Sequence, residues 1–171
     1  MANIQGAILA QAENEASRIF NEARIYPVWV ECPCDNSSGP GDLMLRIIPK
    51  LFGTTRAKVS NEALGYAPVS TDGGVLATVF FNRVEEIMKG GPVAPVLGNV
   101  MAYELGHLLL GQNAHTSRGI MRAYWSRGFM KLALLGFLNF NSEQAQLMRD
   151  QVSALRRKEE ILPARLIASV K

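Results

Sequence analysis

The two histidines of the chain, His107 and His115, lie within a stretch of nine residues, and Tyr103 and Glu104 come shortly before them. Tyr103 and His107 are four residues apart, a spacing that places two side chains on the same face of an α-helix. Two side chains on one face can bind the same metal ion, and a carboxylate beside it can take a proton from a metal-bound water. These residue types and spacings therefore indicate a metal site that activates water.

A glycine after His107 provides the turn that a third ligand needs. Gly111 can adopt a left-handed conformation that other residues resist, and so can end the helix and reverse the chain. The reversed chain can bring His115 to the same metal. A catalytic zinc site has three protein ligands and one open position for water, so Tyr103, His107 and His115 would be sufficient.

The stretch YELGHLLLGQNAH followed by TSRGIM, within residues 100–125, resembles the active-site motif of the metzincin zinc peptidases. That family has a His-Glu-x-x-His helix, a glycine, a third histidine, and a methionine in a tight turn beneath the metal. The likeness is greatest to short bacterial proteins of this type, in which a similar HLLLG…H…GIM run occurs. Outside the motif it is confined to the order of elements. Metzincins place a long helix and a twisted sheet before the motif helix, and a mostly helical part after it.

The resemblance implies a function and a role for each matching residue. It implies a peptidase that hydrolyses a peptide or protein substrate, with one zinc ion that polarises the carbonyl group and binds the attacking water. Glu104 would accept the proton of that water and pass it to the leaving amine. The remaining matches are zinc ligands at His107 and His115, the helix-ending glycine at Gly111 and the turn methionine at Met121.

Two departures from the family motif bear on activity. Tyr103 stands where metzincins have their first histidine ligand, and the spacings from His107 to Gly111 and to His115 are longer than the common ones. A longer loop costs little, but a phenol with a pKa of about 10 is a poor ligand until a metal lowers that pKa. Zinc affinity should therefore be reduced. One alternative is a catalytically inactive relative that binds a peptide or protein. Another is a helix-rich partner-binding domain in which the motif is a coincidence.

Several of these residues also have ordinary structural roles that the sequence leaves open. Glu104 can be a buried acid held by a neighbour such as Arg122, and Tyr103 can pack over the cleft or hydrogen-bond to Glu104. Met121 can be a core methionine, and the two histidines can be packed near a site that has lost its metal. Residues expected to support the ligands or to pack around them are Asn113, Thr116, Tyr124 and Trp125.

The order of hydrophobic patterns predicts a single α+β domain with one mixed sheet. Residues 1–111 would hold an N-terminal helix, a twisted sheet and the motif helix, and residues 112–171 the methionine turn and C-terminal helices. On the metzincin pattern, GGVLATVFFN at residues 73–82 would line the substrate cleft. The predicted helices cover about 7–24, 95–110 and 126–135, and a last one starts at 141 or 142. The predicted strands cover 25–32, 43–49 and 64–69, and a fourth starts at 75 and runs into a short helix that ends near 87. Loops are predicted at 35–42 and 70–74.

Composition and charge exclude several classes of protein. Of the 171 residues, 48% are hydrophobic, enough for a packed core, and the net charge is only +3. The densest basic cluster, residues 156–158, is followed at once by two glutamates, so nucleic acid is not an expected partner. No run of about 18 apolar residues indicates a membrane span. The N-terminus lacks the pattern of a signal peptide, so a cytoplasmic location is expected unless a leader was removed. Cys32 and Cys34 are expected to be free thiols, and the sequence does not indicate an oligomeric state.

Overall fold

The described part of the chain folds into five α-helices and a four-stranded mixed sheet. The computed structural model describes residue 4 and residues 6–31, 42–49, 59–60, 62–69, 74–111, 114–159 and 167–170. The elements are α1 (Gly6–Glu22), β1 (Met44–Ile48), β2 (Gly65–Tyr66), β3 (Leu76–Phe80), α2 (Phe81–Met88), α3 (Val93–Leu110), α4 (Arg127–Leu134), α5 (Ser142–Glu159) and β4 (Ile167–Val170). The predicted α+β class is confirmed.

The sheet has the strand order β2-β3-β1-β4, in which β1 runs parallel to β3 and β4, and β2 runs antiparallel to β3. On β1, Leu45 and Ile47 are buried, and Arg46 between them is exposed. Successive side chains of a strand point to opposite faces, so the arginine within this apolar run marks the outer face of the sheet. Strand β2 lies at an edge of the sheet, and the pairing of Gly65 with Val79 of β3 holds it in place.

Helix α3, which carries the motif, is the core helix of the protein. Among the described helices, it alone is long and apolar enough to cross a membrane, with a mean hydropathy of 1.3, but 72% of it is buried inside the protein. A helix that is apolar on all sides suits such a core position. Gly98 permits a close crossing with α1, because a Cβ atom there would lie 2.5 Å from the backbone oxygen of Ala12.

Polar caps fix the start of the two helices that follow the motif helix. Ser126 caps α4, because its Oγ accepts a hydrogen bond from the backbone N–H of Phe129. Asn141 caps α5: its Oδ1 accepts the Gln144 N–H at 2.8 Å, and the Gln144 side chain in return accepts the Asn141 N–H at 3.1 Å. Such reciprocal capping satisfies two backbone donors and sets the first residue of the helix. Of the two predicted caps, Asn141 is therefore the one observed.

One predicted strand is wrong, and one observed strand was not predicted. Residues 25–30 form no strand; Trp29 instead donates a hydrogen bond to Ser17 Oγ on α1 at 2.8 Å, and Pro27 has no N–H for a sheet ladder. The C-terminal part, predicted to be helical, also contributes β4. That strand forms by pairing with β1, a contact between segments far apart in the chain that no local pattern reports. Most of the predicted loop at 35–42, most of the turn at 70–74, and both cysteines lie outside the described residues.

Candidate metal centre

Helix α3 and the chain after it bring the three candidate ligands together. Tyr103 and His107 lie one turn apart on α3, with ring centroids 4.7 Å apart and ring planes at 88°. Gly111 follows the helix with a φ of 79°, and the chain then turns back. The ring of His115 comes to 4.9 Å from that of His107, and its Nε2 lies 2.9 Å from the hydroxyl oxygen of Tyr103. The three side chains thus form one cluster.

A glutamine on α5 holds the loop that carries His115. Gln144 is only 4% exposed, and its Nε2 donates to the backbone oxygen of Ala114 and to Thr116 Oγ1, both at 3.2 Å. These two acceptors flank His115, so the loop is tied to α5 on both sides of the candidate ligand. Sequence reasoning missed Gln144, since the cap pattern that it forms shows a helix start but not a distant partner. Asn113, the other expected support residue, lies outside the described residues.

The chain before α4 makes a tight turn beneath α3. Gly119 has a φ of 74°, and a Cβ atom there would lie 2.7 Å from the backbone oxygen of Asn139. Met121 is fully buried, and a Cβ atom at Gly106 of α3 would lie 2.8 Å from its Sδ. The methionine therefore packs under the same turn of helix that carries His107.

Glu104 is buried beside the cluster and packs against the edge strand β2. Its side chain is 4% exposed, and a Cβ atom at Gly65 would lie 2.5 Å from its Oε1. Arg122 does not hold this carboxyl group: it is exposed, and no ion pair joins the two. Glu104 is thus a buried acid without an ion-pair partner among the described residues.

Burial shifts three pKa values at the cluster. It raises the pKa of Glu104 from 4.5 to about 8. Burial first, and the charge of His115 second, lower the pKa of His107 from 6.5 to about 4. Burial first, and the charge of Glu104 second, raise the pKa of the Tyr103 hydroxyl. Near neutral pH, His107 is therefore a neutral imidazole, which is the form that binds metal ions, and Tyr103 is an uncharged phenol.

The donor set fits a zinc ion if the tyrosine takes part. Within the described ranges, no group of three or more His, Cys, Asp or Glu side chains can hold a metal ion. The Tyr103 oxygen completes a set of three with His107 and His115. With metal–ligand distances of about 2.0–2.1 Å, neighbouring ligand atoms in a tetrahedral zinc site lie about 3.3 Å apart. The Tyr103 oxygen and His115 Nε2, at 2.9 Å, are close to that separation. A divalent cation would also supply the positive charge that a buried Glu104 carboxylate needs.

The cluster lines a cleft of about 750 Å³. Strand β2 lines this cleft, and β3, which lies within residues 73–82, does not. The prediction that this segment lines the cleft is therefore wrong. The reason is that β2 pairs with β3 and takes the edge position. Trp125 also lines the cleft, with its ring centroid 5.5 Å from that of Tyr103 and 5.1 Å from that of Phe129. Cleft residues that bear on function include Gly65, Tyr66, Glu104, His107, Trp125 and Met130.

Comparison with known proteins adds no relative to this picture. No family model, no curated protein and no solved structure matches the chain. The metzincin resemblance therefore depends on the motif residues and on the order of elements. The geometry of the cluster is independent of that resemblance: it brings together three possible metal ligands, a buried acid and an open cleft.

Replacing Gly65 with alanine is expected to lower the free energy of unfolding by about 1–3 kcal/mol, the usual cost of overpacking a tight contact. The added methyl group would overlap the carboxyl group of Glu104. Gly128→Ala is the control, because the nearest atom to a Cβ there, Ser126 Oγ, is 3.8 Å away and alanine favours a helix. Urea unfolding curves of both variants check this expectation. If Gly65→Ala is as stable as Gly128→Ala, β2 does not pack closely against Glu104.

Proposed function

We propose that the chain is a metzincin-like zinc peptidase domain in which Tyr103 replaces the first histidine ligand. The observation that carries the proposal is the meeting of Tyr103, His107 and His115 at a cleft, with the buried Glu104 next to them. Two donors lie on one helix face, and the loop after the helix-ending glycine supplies the third. A catalytic zinc site with one open position requires three such donors. The buried methionine beneath the helix is a further likeness to the family motif.

In this proposal Tyr103, His107 and His115 would hold the zinc ion, and Glu104 would be the general base. Zinc in such a site is a Lewis acid that polarises a carbonyl group and makes water more acidic. Glu104 accepts a proton at its carboxylate and passes it to the leaving amine. Burial raises the pKa of Glu104 to about 8, so the charged carboxylate that accepts the proton needs a nearby positive charge, which a zinc ion would supply.

The edge strand beside Glu104 supports a peptide as the substrate. β2 lies at the edge of the described sheet, and its residues Gly65 and Tyr66 line the cleft. The edge of a strand offers N–H and C=O groups to which an extended peptide can hydrogen-bond. A peptide bound along β2 would pass close to Glu104, since Gly65 lies against that carboxyl group. The proposed substrate is therefore a peptide or protein segment in an extended conformation.

Digestion of a mixed peptide library by the purified chain tests this proposal. Fragments are identified by mass spectrometry as pairs whose masses add up to one substrate peptide plus one water. We expect cleavage that stops when a chelator removes the metal and returns when zinc is added. Cleavage that persists without metal, or zinc-loaded protein that cleaves no peptide, would contradict the proposed zinc peptidase.

A second candidate function is a relative without catalysis that binds a peptide or protein in the same cleft. The observation that favours it is the 2.9 Å contact between the Tyr103 oxygen and His115 Nε2, which gives both groups a hydrogen-bond partner without a metal. The same library distinguishes the two candidates. Peptides that are retained by the zinc-free chain with unchanged masses support the binding module, and zinc-dependent fragments support the peptidase.

Replacing Gln144 with alanine is expected to weaken zinc binding about 10- to 100-fold, the typical effect of losing a residue that orients a metal ligand. The loop that carries His115 would lose both hydrogen bonds from α5. Gln146→Ala is the matched control, because Gln146 is exposed on the same helix and its hydrogen bonds within the described ranges go to Asp150 and Arg149 of that helix. Competition with a chromophoric chelator measures the affinities. Wild-type affinity in Gln144→Ala would show that the tether does not position His115.

A further inference from the structure

The end of α4 presents exposed apolar side chains. Leu132, Leu135 and Phe137 are 42%, 55% and 68% exposed. Gly136 ends the helix with a φ of 71°, and the Phe137 N–H donates to the backbone oxygen of Leu132 at 3.0 Å. This helix ending places the residue after the glycine next to residue 132, and Leu135 lies on the same helix face as Leu132. The three side chains therefore form one surface, called here the α4 patch.

Helix α4 divides its side chains between the protein and the solvent. Phe129, Met130 and Ala133 are buried, and Met130 also lines the cleft. Lys131 and Leu134 are exposed together with the α4 patch. A helix with its side chains is about 10–12 Å across, so the α4 patch lies within about that distance of the cleft.

The sequence segment that contains the α4 patch is positively charged. From residue 105 to residue 142 the sequence contains four arginines and lysines and no aspartate or glutamate. Lys131 on α4 is exposed, and so are Arg118 and Arg122 in the turn that leads to α4. Exposed leucine and phenylalanine side chains beside exposed cations are typical of amphipathic helices that lie on an anionic membrane surface.

We propose that the α4 patch docks the chain on the surface of an anionic lipid bilayer. Leu135 and Phe137 insert at the boundary between headgroups and acyl chains, and Lys131 faces the phosphate and carboxylate groups of the lipids. The proposal goes beyond the peptidase function and does not depend on it. A chain docked in this way holds its cleft near the bilayer, within reach of peptide segments anchored there.

Co-sedimentation with vesicles tests the docking. We expect the chain to bind vesicles that contain phosphatidylserine, to bind phosphatidylcholine vesicles weakly, and to be released from the former by salt. The double variant Leu135→Ser, Phe137→Ser should bind about tenfold less or weaker still, because two apolar side chains are lost. Leu147→Ser is the matched control: Leu147 is 54% exposed on α5, between Glu143 and Asp150, and its replacement should leave vesicle binding unchanged.

A second measurement does not depend on a polar substitution. Phe137→Trp should show a blue shift of tryptophan emission with phosphatidylserine vesicles, relative to the wild-type chain, and none with phosphatidylcholine alone. Three results would overturn the proposal. They are the absence of binding to either vesicle, an equal loss of binding in Leu147→Ser, and a dimer in lipid-free solution that the double variant abolishes. The last result would make the α4 patch an interface between two copies of the chain.

Discussion

Replacing Glu104 with glutamine is expected to lower the rate of peptide cleavage by about 10²- to 10⁴-fold, the usual contribution of a general base. Glutamine has nearly the same shape and fits the space against Gly65, but its amide does not accept the proton of the attacking water. Zinc binding should persist, because Glu104 is not among the proposed ligands. The measurement is kcat/KM on a peptide that the wild type cleaves, with zinc content determined on the same samples.

A matched control separates the loss of a base from the loss of a negative charge. Glu85 is exposed on α2 and is not among the residues that line the cleft, so Glu85→Gln should cleave at the wild-type rate. A Glu104→Gln protein with the wild-type rate and intact zinc would show that Glu104 is not the base. A rate loss that accompanies zinc loss would instead place Glu104 in the metal site itself.

Replacing Tyr103 with histidine is expected to raise zinc affinity by about tenfold or more, since even residues that only orient metal ligands typically change the affinity 10- to 100-fold. The phenol must release a proton to bind zinc well, and burial together with the charge of Glu104 raises its pKa. An imidazole at this position binds in its neutral form. The substitution also removes the Tyr103 hydroxyl that contacts His115. Competition with a chelator of known zinc affinity measures the change.

Two further variants make this expectation specific to the cluster. Tyr103→Phe lacks the oxygen and should bind zinc more weakly than wild type. Tyr26→His adds a histidine at a tyrosine that is exposed and outside the cleft, and it should leave the affinity of the site unchanged. If Tyr103→Phe and Tyr103→His both bind zinc as the wild type does, residue 103 is not a ligand.

The elements that local patterns predict well are those with clear ends. Pro95 lies in the first turn of α3 and Gly111 follows its last residue, and the Asn141 cap sets the start of α5. The predicted strand is absent at residues 25–30 because composition alone supported it, while Trp29 bonds to α1. β4 was missed because its strand state depends on pairing with β1, which a local window does not contain.

The same distinction applies to the candidate site. The spacing between Tyr103 and His107 predicts a shared helix face, and the two rings are 4.7 Å apart. Contacts between distant segments were not predictable in this way. Gly65 becomes important only because β2 lies against Glu104, and Gln144 because α5 reaches the loop of His115. Such contacts arise from tertiary packing, and their residue types also occur widely without any such role.

The zinc content of the purified chain, after reconstitution and removal of loosely bound metal, tests most directly whether Tyr103, His107 and His115 form a zinc site. We expect about one zinc ion per chain in the wild type, as a three-ligand site requires. His107→Ala and His115→Ala should each lose it while circular dichroism shows a retained fold. A wild-type chain that holds no zinc even after reconstitution would contradict the zinc site, and so would full zinc content in both variants.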